Sequence, residues 1–468
     1  MGNYDPKNHV IHLQDGSLQD SDLGHIVRNA IEAKAPAGIV IHVHGGRVSQ
    51  KRGRTIAQGL HGPYTQAEAY PLFFVWETGD LEAPLNNLGE ILGEIFRKLL
   101  FQKVKEKIEG KVKPALDSVG LKATGHVEIE LDEAQLAAEL EAELLADPEF
   151  KLALDEARAD YETAKSTLAL KGFAPELTPA NAAVVNDRTA AELFGSPAPY
   201  KAAALLGYNW ATLAWKIAKL AYRVWKRQRT GRGRFGHWGP VVVEEVLREL
   251  YLDDVGRIGW WDPMKKDAED SFAKDTAGGV RFLVELQKQL AGAAAPRITL
   301  VGHSAGSIFL CELLDQAARI MPDTTFDLIL EAPAVTCERF AEAVTKHRDR
   351  IRKFRQLGLK GVDEAREMSL IFPGSLLYLV SNVFENDVDV PLLGMERFFT
   401  REDIYRGIPE WKAISACQSF FSEKGPDAVT WWTLDDVGPD EREGWGHGYF
   451  DDGKFILKKV TALISDPS

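Results

Sequence analysis

Apolar positions fall into three regimes along the chain. Near the N-terminus they form short continuous runs, Val10-Ile11-His12-Leu13, Ile39-Val40-Ile41-His42-Val43 and Leu72-Phe73-Phe74-Val75-Trp76, with helical spacing between them. Runs of four or five β-branched and aromatic residues bounded by turn formers are buried-strand signals. After Glu77-Thr78-Gly79-Asp80 the pattern changes to long, charged, Ala- and Leu-rich segments that persist to Thr230, with 126–131 as a weak strand-like stretch. Strand patterns return at 298–301, 328–330, 376–380 and 428–433; helical patterns cover 264–290, interrupted at Gly278-Gly279, and 453–464. Strands alternating with helices predict an α/β fold with a mostly parallel central sheet flanked by helices. The chain divides into a first part of the core at 1–83, a helical insertion at 84–235 and a second part of the core at 236–468.

Composition narrows the class. With 468 residues and 45% hydrophobic content the chain has material for a large core and a second unit. A net charge of -13 argues against nucleic acid as a partner. Cys311, Cys337 and Cys417 are widely separated and form no C-x-x-C, so they read as reduced core residues. The N-terminus lacks a basic region followed by an apolar one, and no run of about 18 apolar residues occurs, so cytoplasmic residence is expected. Pro6 stands where a myristoylation signal requires Ser or Thr, which excludes that anchor at Gly2.

Within the insertion, 131–168 is acidic and helical with a break at Pro148, whereas 208–229 is basic. Leu213, Ile217, Leu220, Val224 and Trp225 recur at helical spacing, and Lys216, Lys219, Arg223, Lys226, Arg227 and Arg229 supply charge. Two readings stay open for that helix: packing against the acidic helices, or reversible contact with an anionic membrane surface at roughly 1 kcal/mol per basic residue.

The chemistry concentrates at Gly302-His303-Ser304-Ala305-Gly306, which lies between the apolar run 298–301 and the helical pattern that starts at Ser307. A G-x-S-x-G between strand and helix matches a nucleophile elbow, in which glycines permit a sharp turn and the serine hydroxyl projects from the sheet. Upstream, strand 39–43 runs into His44-Gly45-Gly46. Backbone N–H groups of Gly45 or Gly46 and of Ala305 are candidate oxyanion donors, each worth roughly 3–4 kcal/mol of barrier in acyl transfer. His44 reads as a residue that orders this turn. A serine hydroxyl needs a base within reach, and an imidazole with an ordinary pKa of about 6.5 suits that task, so activity is expected to rise between about pH 6 and 7.5. Of the eleven histidines, His447 combines a glycine-flanked loop, a preceding strand and a place near the C-terminus. An acid is expected in the loop Glu385-Asn386-Asp387-Val388-Asp389-Val390-Pro391.

These four segments together resemble the α/β-hydrolase superfamily in its lipase and esterase branches, over approximately 1–83 and 236–468. The resemblance implies an α/β-hydrolase fold, Ser304 as nucleophile, His447 as general base and Asp387 as the carboxylate that orients it, with Asp389 and Glu331 as alternative acids. It also implies that the insertion caps the active site. The expected activity is cofactor-independent hydrolysis of a carboxylic ester, a lipid ester being favoured by the insertion and its basic helix. Thioesters and amides use the same groups.

Rival constellations are weaker. His42 and His44 share a strand face, but no nearby carboxylate completes a metal site. Gly231-x-Gly233 lacks a preceding strand and a following Gly-Lys, so it reads as a linker. Trp260-Trp261 reads as packing or as lining for an acyl pocket, and Trp431-Trp432 as strand core. A catalytically inactive binding protein that uses the insertion to recognise a partner is the alternative function.

Overall fold

The computed structural model describes residues 4–46, 48–76, 261–291, 295–369, 372–439, 442 and 445–466, with Arg223, Arg227, Val241, Glu244, Glu245 and Arg248. Apart from Arg223 and Arg227, the insertion at 84–235 lies outside the described residues, including its strand-like stretch at 126–131, its acidic segment, the rest of the basic helix at 208–229 and the linker at 231–233; so does Trp260.

Eight strands form one sheet: β1 Val10–Gln14, β2 Ser17–Leu18, β3 Ile39–Val43, β4 Tyr70–Trp76, β5 Ile298–His303, β6 Phe326–Glu331, β7 Ile351–Leu359 and β10 Val429–Trp432, while β8 Met368–Ser369 and β9 Phe372–Pro373 make a separate ribbon. The order across the main sheet is β10-β7-β6-β5-β3-β4-β1-β2, and every pair is parallel except β1 with β2. The central strands are buried on both faces, which explains why they read as continuous apolar runs.

Side-chain alternation divides the core into two layers. Ile39, Ile41, Val43, Leu300, Leu328 and Phe74 face one layer, which holds α1 Leu23–Glu32, α4 Gly278–Leu290, α5 Gly306–Ile320, α6 Cys337–His347 and α7 Trp411–Glu423. Val40, Phe73, Val75, Val301 and Ile329 face the other, against α2 Gln50–Gln66 and α8 Lys454–Ser465. Phe309 of α5 is wholly buried among Phe74, Trp76 and Phe272, with ring centroids 5.0–5.4 Å apart. The three cysteines are free and buried, as expected. Trp261 is also buried and its indole Nε1 donates to Glu385 at 2.7 Å, which identifies it as packing. Trp431 and Trp432 are half-buried on the edge strand.

Two elements depart from the pattern reading. The run 376–380 is not a strand: Ser375 Oγ accepts the Tyr378 N–H and starts a helix at Leu376–Leu379 that passes into a π-turn at Val380–Phe384. Continuous apolar runs of this length do not distinguish strand from buried helix, and here the serine cap decides. The strand that fills that place is β7, whose Arg352, Lys353, Arg355 and Gln356 interrupt the apolar pattern. The helix expected over 264–290 is two, α3 Asp262–Asp270 and α4, separated ahead of Gly278. No described helix is long and apolar enough to cross a membrane. Of the basic helix, Arg227 is buried and paired with Glu244 at 2.5 Å and Glu245 at 3.0 Å, so its charge is neutralised within the protein.

Because Phe309 packs at the junction of sheet and helices, Phe309→Ala should destabilise the protein by about 3–5 kcal/mol. Chemical denaturation will measure it, and a loss below about 1 kcal/mol would contradict this packing.

Candidate active site

From β3 the chain passes by α2 to β4 on one side; β5 lies on the other side of β3 and leads into α5. Helix α2 covers one sheet face and α5 the other. The loops after β3 and β5 therefore diverge at a topological switch point, where open α/β sheets form a crevice beyond the strand ends. Gly45 and Ser304 both lie there. A Cβ on Gly45 would stand 3.2 Å from the Ser304 Cβ, and one on Gly306 would stand 2.3 Å from the Val43 carbonyl oxygen. Position 306 thus has to be glycine for α5 to start against the end of β3.

Ser304 adopts a positive φ of 50°, a conformation that non-glycine residues rarely take. Its neighbours hold it there. Its N–H donates to the Glu331 carbonyl at 2.8 Å, and its carbonyl accepts from the Ala334 N–H at 3.0 Å and the Ser307 hydroxyl at 2.5 Å. The residue is 4% exposed, and its Oγ lies 2.9 Å from His447 Nε2. The structure thus joins two of the expected residues across 143 positions of sequence.

The turn after β3 is ordered by His44. Its Nδ1 donates to the Gly45 carbonyl at 2.8 Å and its Nε2 accepts the Trp76 N–H at 3.3 Å, while the Trp76 indole donates to the His44 carbonyl at 3.1 Å. This pattern assigns a neutral ring with the proton on Nδ1, and burial lowers its pKa to about 4. Gly45 is buried beside the serine and Gly46 is half-buried, and Ala305 opens the first turn of α5, where helix N–H groups have no intrahelical acceptor.

The expected acids lie elsewhere. Asp387 is exposed, in a loop whose carbonyls at Asn382, Asn386 and Asp387 accept from the Arg248 guanidinium. Asp389 is buried and ion-paired with Arg397. Glu331 is buried opposite His303 in the β5–β6 register. None is hydrogen-bonded to His447, and the buried His447 Nδ1 has no partner among the described residues. The loop at 385–391 follows the π-turn instead of a sheet strand, which is why its acids do not reach the ring.

A second histidine stands behind the first. His303 and His447 have ring centroids 5.2 Å apart, and His303 Nδ1 lies 2.6 Å from Asp451 Oδ1, a close charge contact with poor hydrogen-bond alignment. Burial opposes protonation of His303, but the Asp451 carboxylate outweighs it and raises the pKa; Asp451 is correspondingly held below the ordinary carboxylate range despite its burial. Burial, then the His303 charge, pushes His447 down to about 3. Burial pushes Glu331 up to about 8, so that carboxyl is neutral at pH 7. His42 completes the layer, with Nδ1 3.0 Å from the Tyr64 hydroxyl and its pKa lowered by burial to about 3. Sequence reasoning missed His303 and Asp451; the signal was present in the elbow itself, where the residue before the serine is ionisable. No group of three or more His, Cys, Asp or Glu side chains with metal-holding geometry occurs among the described residues.

Comparison of the chain with protein-family models, curated proteins and solved structures found no match.

Glu331 makes a pH-dependent prediction. Its folded pKa of about 8 lies above the ordinary 4.5, so the native state keeps a proton that the unfolded chain loses, and stability falls as pH rises across that window. Glutamine cannot ionise. The stability of Glu331→Gln relative to the parent protein should therefore increase by about 1.4 kcal/mol per pH unit between about pH 5 and 8. Urea denaturation at three pH values will test this, and a difference independent of pH would refute it.

Proposed function

We propose that this protein is a serine hydrolase of the α/β-hydrolase type that cleaves carboxylic esters through an acyl-enzyme on Ser304. The observation that carries the reading is the 2.9 Å contact between Ser304 Oγ and His447 Nε2 at the switch point of a parallel sheet. In the proposed reaction Ser304 Oγ attacks the ester carbonyl while His447 Nε2 takes the hydroxyl proton. N–H groups of Ala305 and of Gly45 or Gly46 receive the developing oxyanion. His447 then gives its proton to the leaving alcohol, and a water molecule, deprotonated by the same nitrogen, releases the acid. No cofactor takes part in this scheme. Lipid esters are the favoured substrates, through the long insertion, which the proposal treats as a cap. Cytoplasmic residence belongs to the same reading, in keeping with three unpaired cysteines.

The second reading is a binding protein without turnover. It is favoured by the His447 ring, whose Nδ1 meets no carboxylate among the described residues.

Labelling with a serine-directed phosphonate, followed by peptide mapping, separates the two. Modification confined to Ser304 and lost in Ser304→Ala, together with a fall in ester turnover of at least about 10³-fold, is expected of the hydrolase. An unlabelled, folded protein favours the binding role.

The same reading predicts an unusual pH profile. With His447 near 3 and deprotonated above that, the acid limb of kcat/KM should lie below about pH 5 rather than in the ordinary imidazole range. Of the titratable groups nearby, His303 and Asp451 act on the ring itself, Glu367 accepts the His447 N–H, and Glu331, His42 and His44 act on the His303–Asp451 pair. His303→Gln removes the neighbouring cation, so the limb should move upward. A wild-type limb near pH 6.5 that His303→Gln leaves in place would contradict this electrostatic account.

A further inference from the structure

His447 sits on Trp445-Gly446-His447-Gly448, a loop with glycines on both sides of the histidine. Glycine-flanked backbone is conformationally permissive, so something outside the loop has to fix the ring against Ser304. A carboxylate on Nδ1 would do so, yet that nitrogen has no partner among the described residues. The main chain is held instead. Glu367 Oε2 accepts the His447 N–H at 2.9 Å, and Asp363 Oδ2 accepts the Trp445 indole Nε1 at 3.3 Å. Asp363 also accepts the Leu434 N–H at 2.7 Å, which ties the segment after β10 to the same anchor.

Both carboxylates come from the segment that follows β7, Asp363 within the short helix Gly361–Arg366 and Glu367 at its C-terminal end. The approach is close. A Cβ on Gly446 would stand 2.9 Å from the Glu367 carboxyl carbon, so glycine at 446 is what lets the carboxylate reach the backbone. Beyond His447 the chain turns into the helix Tyr449–Asp452, whose Phe450 N–H donates to the His447 carbonyl at 3.4 Å. The loop is thus held through its backbone on both sides of the ring.

We propose that Glu367, supported by Asp363, is the positioning residue of the Ser304–His447 pair, and that it orients the histidine through the main-chain N–H rather than through the ring. The inference rests on the hydrolase reading for its catalytic meaning, but the backbone contact is measurable without turnover. What the contact requires of residue 367 is an acceptor oxygen, not a negative charge. A carboxylate bound to the ring would require the charge as well, because it would stabilise the imidazolium formed during reaction.

The test compares Glu367→Gln with Glu367→Ala in the full-length protein. The amide keeps an acceptor oxygen, so Glu367→Gln should retain kcat within about 5-fold, whereas Glu367→Ala should lose roughly 10–100-fold in kcat with KM little changed, the range for a misplaced catalytic group. Hydrogen exchange of the His447 amide supplies the second readout: protected in the parent protein and in Glu367→Gln, fast in Glu367→Ala. A fall of about 10⁴-fold in Glu367→Gln, as when an amide replaces a ring-bound triad carboxylate, would overturn the proposal. So would equal His447 exchange in all three proteins. Loss of phosphonate labelling at Ser304 in the parent protein, with the exchange pattern intact, would remove the hydrolase reading and leave the backbone anchor standing.

Discussion

The start of α5 can approach the end of β3 because Gly306 has no side chain, and the geometry of the crevice depends on that contact. With the Val43 carbonyl 2.3 Å from where a Cβ would be, any other residue pushes the helix away from the sheet. The approach brings Gly45 beside Ser304, points the first helical N–H groups at the same space and holds the serine at a positive φ. The strain at Ser304 is offset locally. Both its backbone polar groups are engaged by β6 or the turn after it, so β5, α5 and β6 specify that conformation together.

The polar layer under the serine follows from strand alternation. His42 on β3, His303 on β5 and Glu331 on β6 all point to the α2 and α8 side, where apolar neighbours remove water. Desolvation disfavours every charge there, and the layer meets it by having few charges. His42, His44 and His447 are held neutral, Glu331 keeps its proton, and the remaining pair, His303 with Asp451, offset each other.

Legibility in the sequence tracked how local each signal is. Strands β1, β3, β4, β5, β6 and β10 were visible as short apolar runs, and the elbow was visible because strand, serine and helix are contiguous. Strand β7 escaped because four polar side chains interrupt its pattern, and 376–380 was misread because a buried helical turn and a buried strand have the same composition. Together these misplaced the segment where an acid was sought. Residues Asp363 and Glu367 follow the true strand, and their partners on the His447 loop lie about eighty residues away, beyond any sequence window. The His303–Asp451 pair was hidden for the same reason, although His303 stands next to the elbow serine.

His447, held near 3, is a poor proton acceptor in the resting protein, so as the base of the proposed hydrolase it would depend on what changes when a substrate reacts. In the proposed reaction, attack by Ser304 would create a negative oxygen within the crevice, and an opposite charge nearby would favour the imidazolium. The dry surroundings that depress His447 in the resting state strengthen its attraction to that oxyanion by the same low dielectric. Proton transfer would then be favourable only as the carbon–oxygen bond forms, which would couple the two events. His303 works against His447 protonation throughout. On the hydrolase reading, the pair Ser304–His447 would work without a carboxylate on the ring to the extent that the oxyanion supplies the missing negative charge.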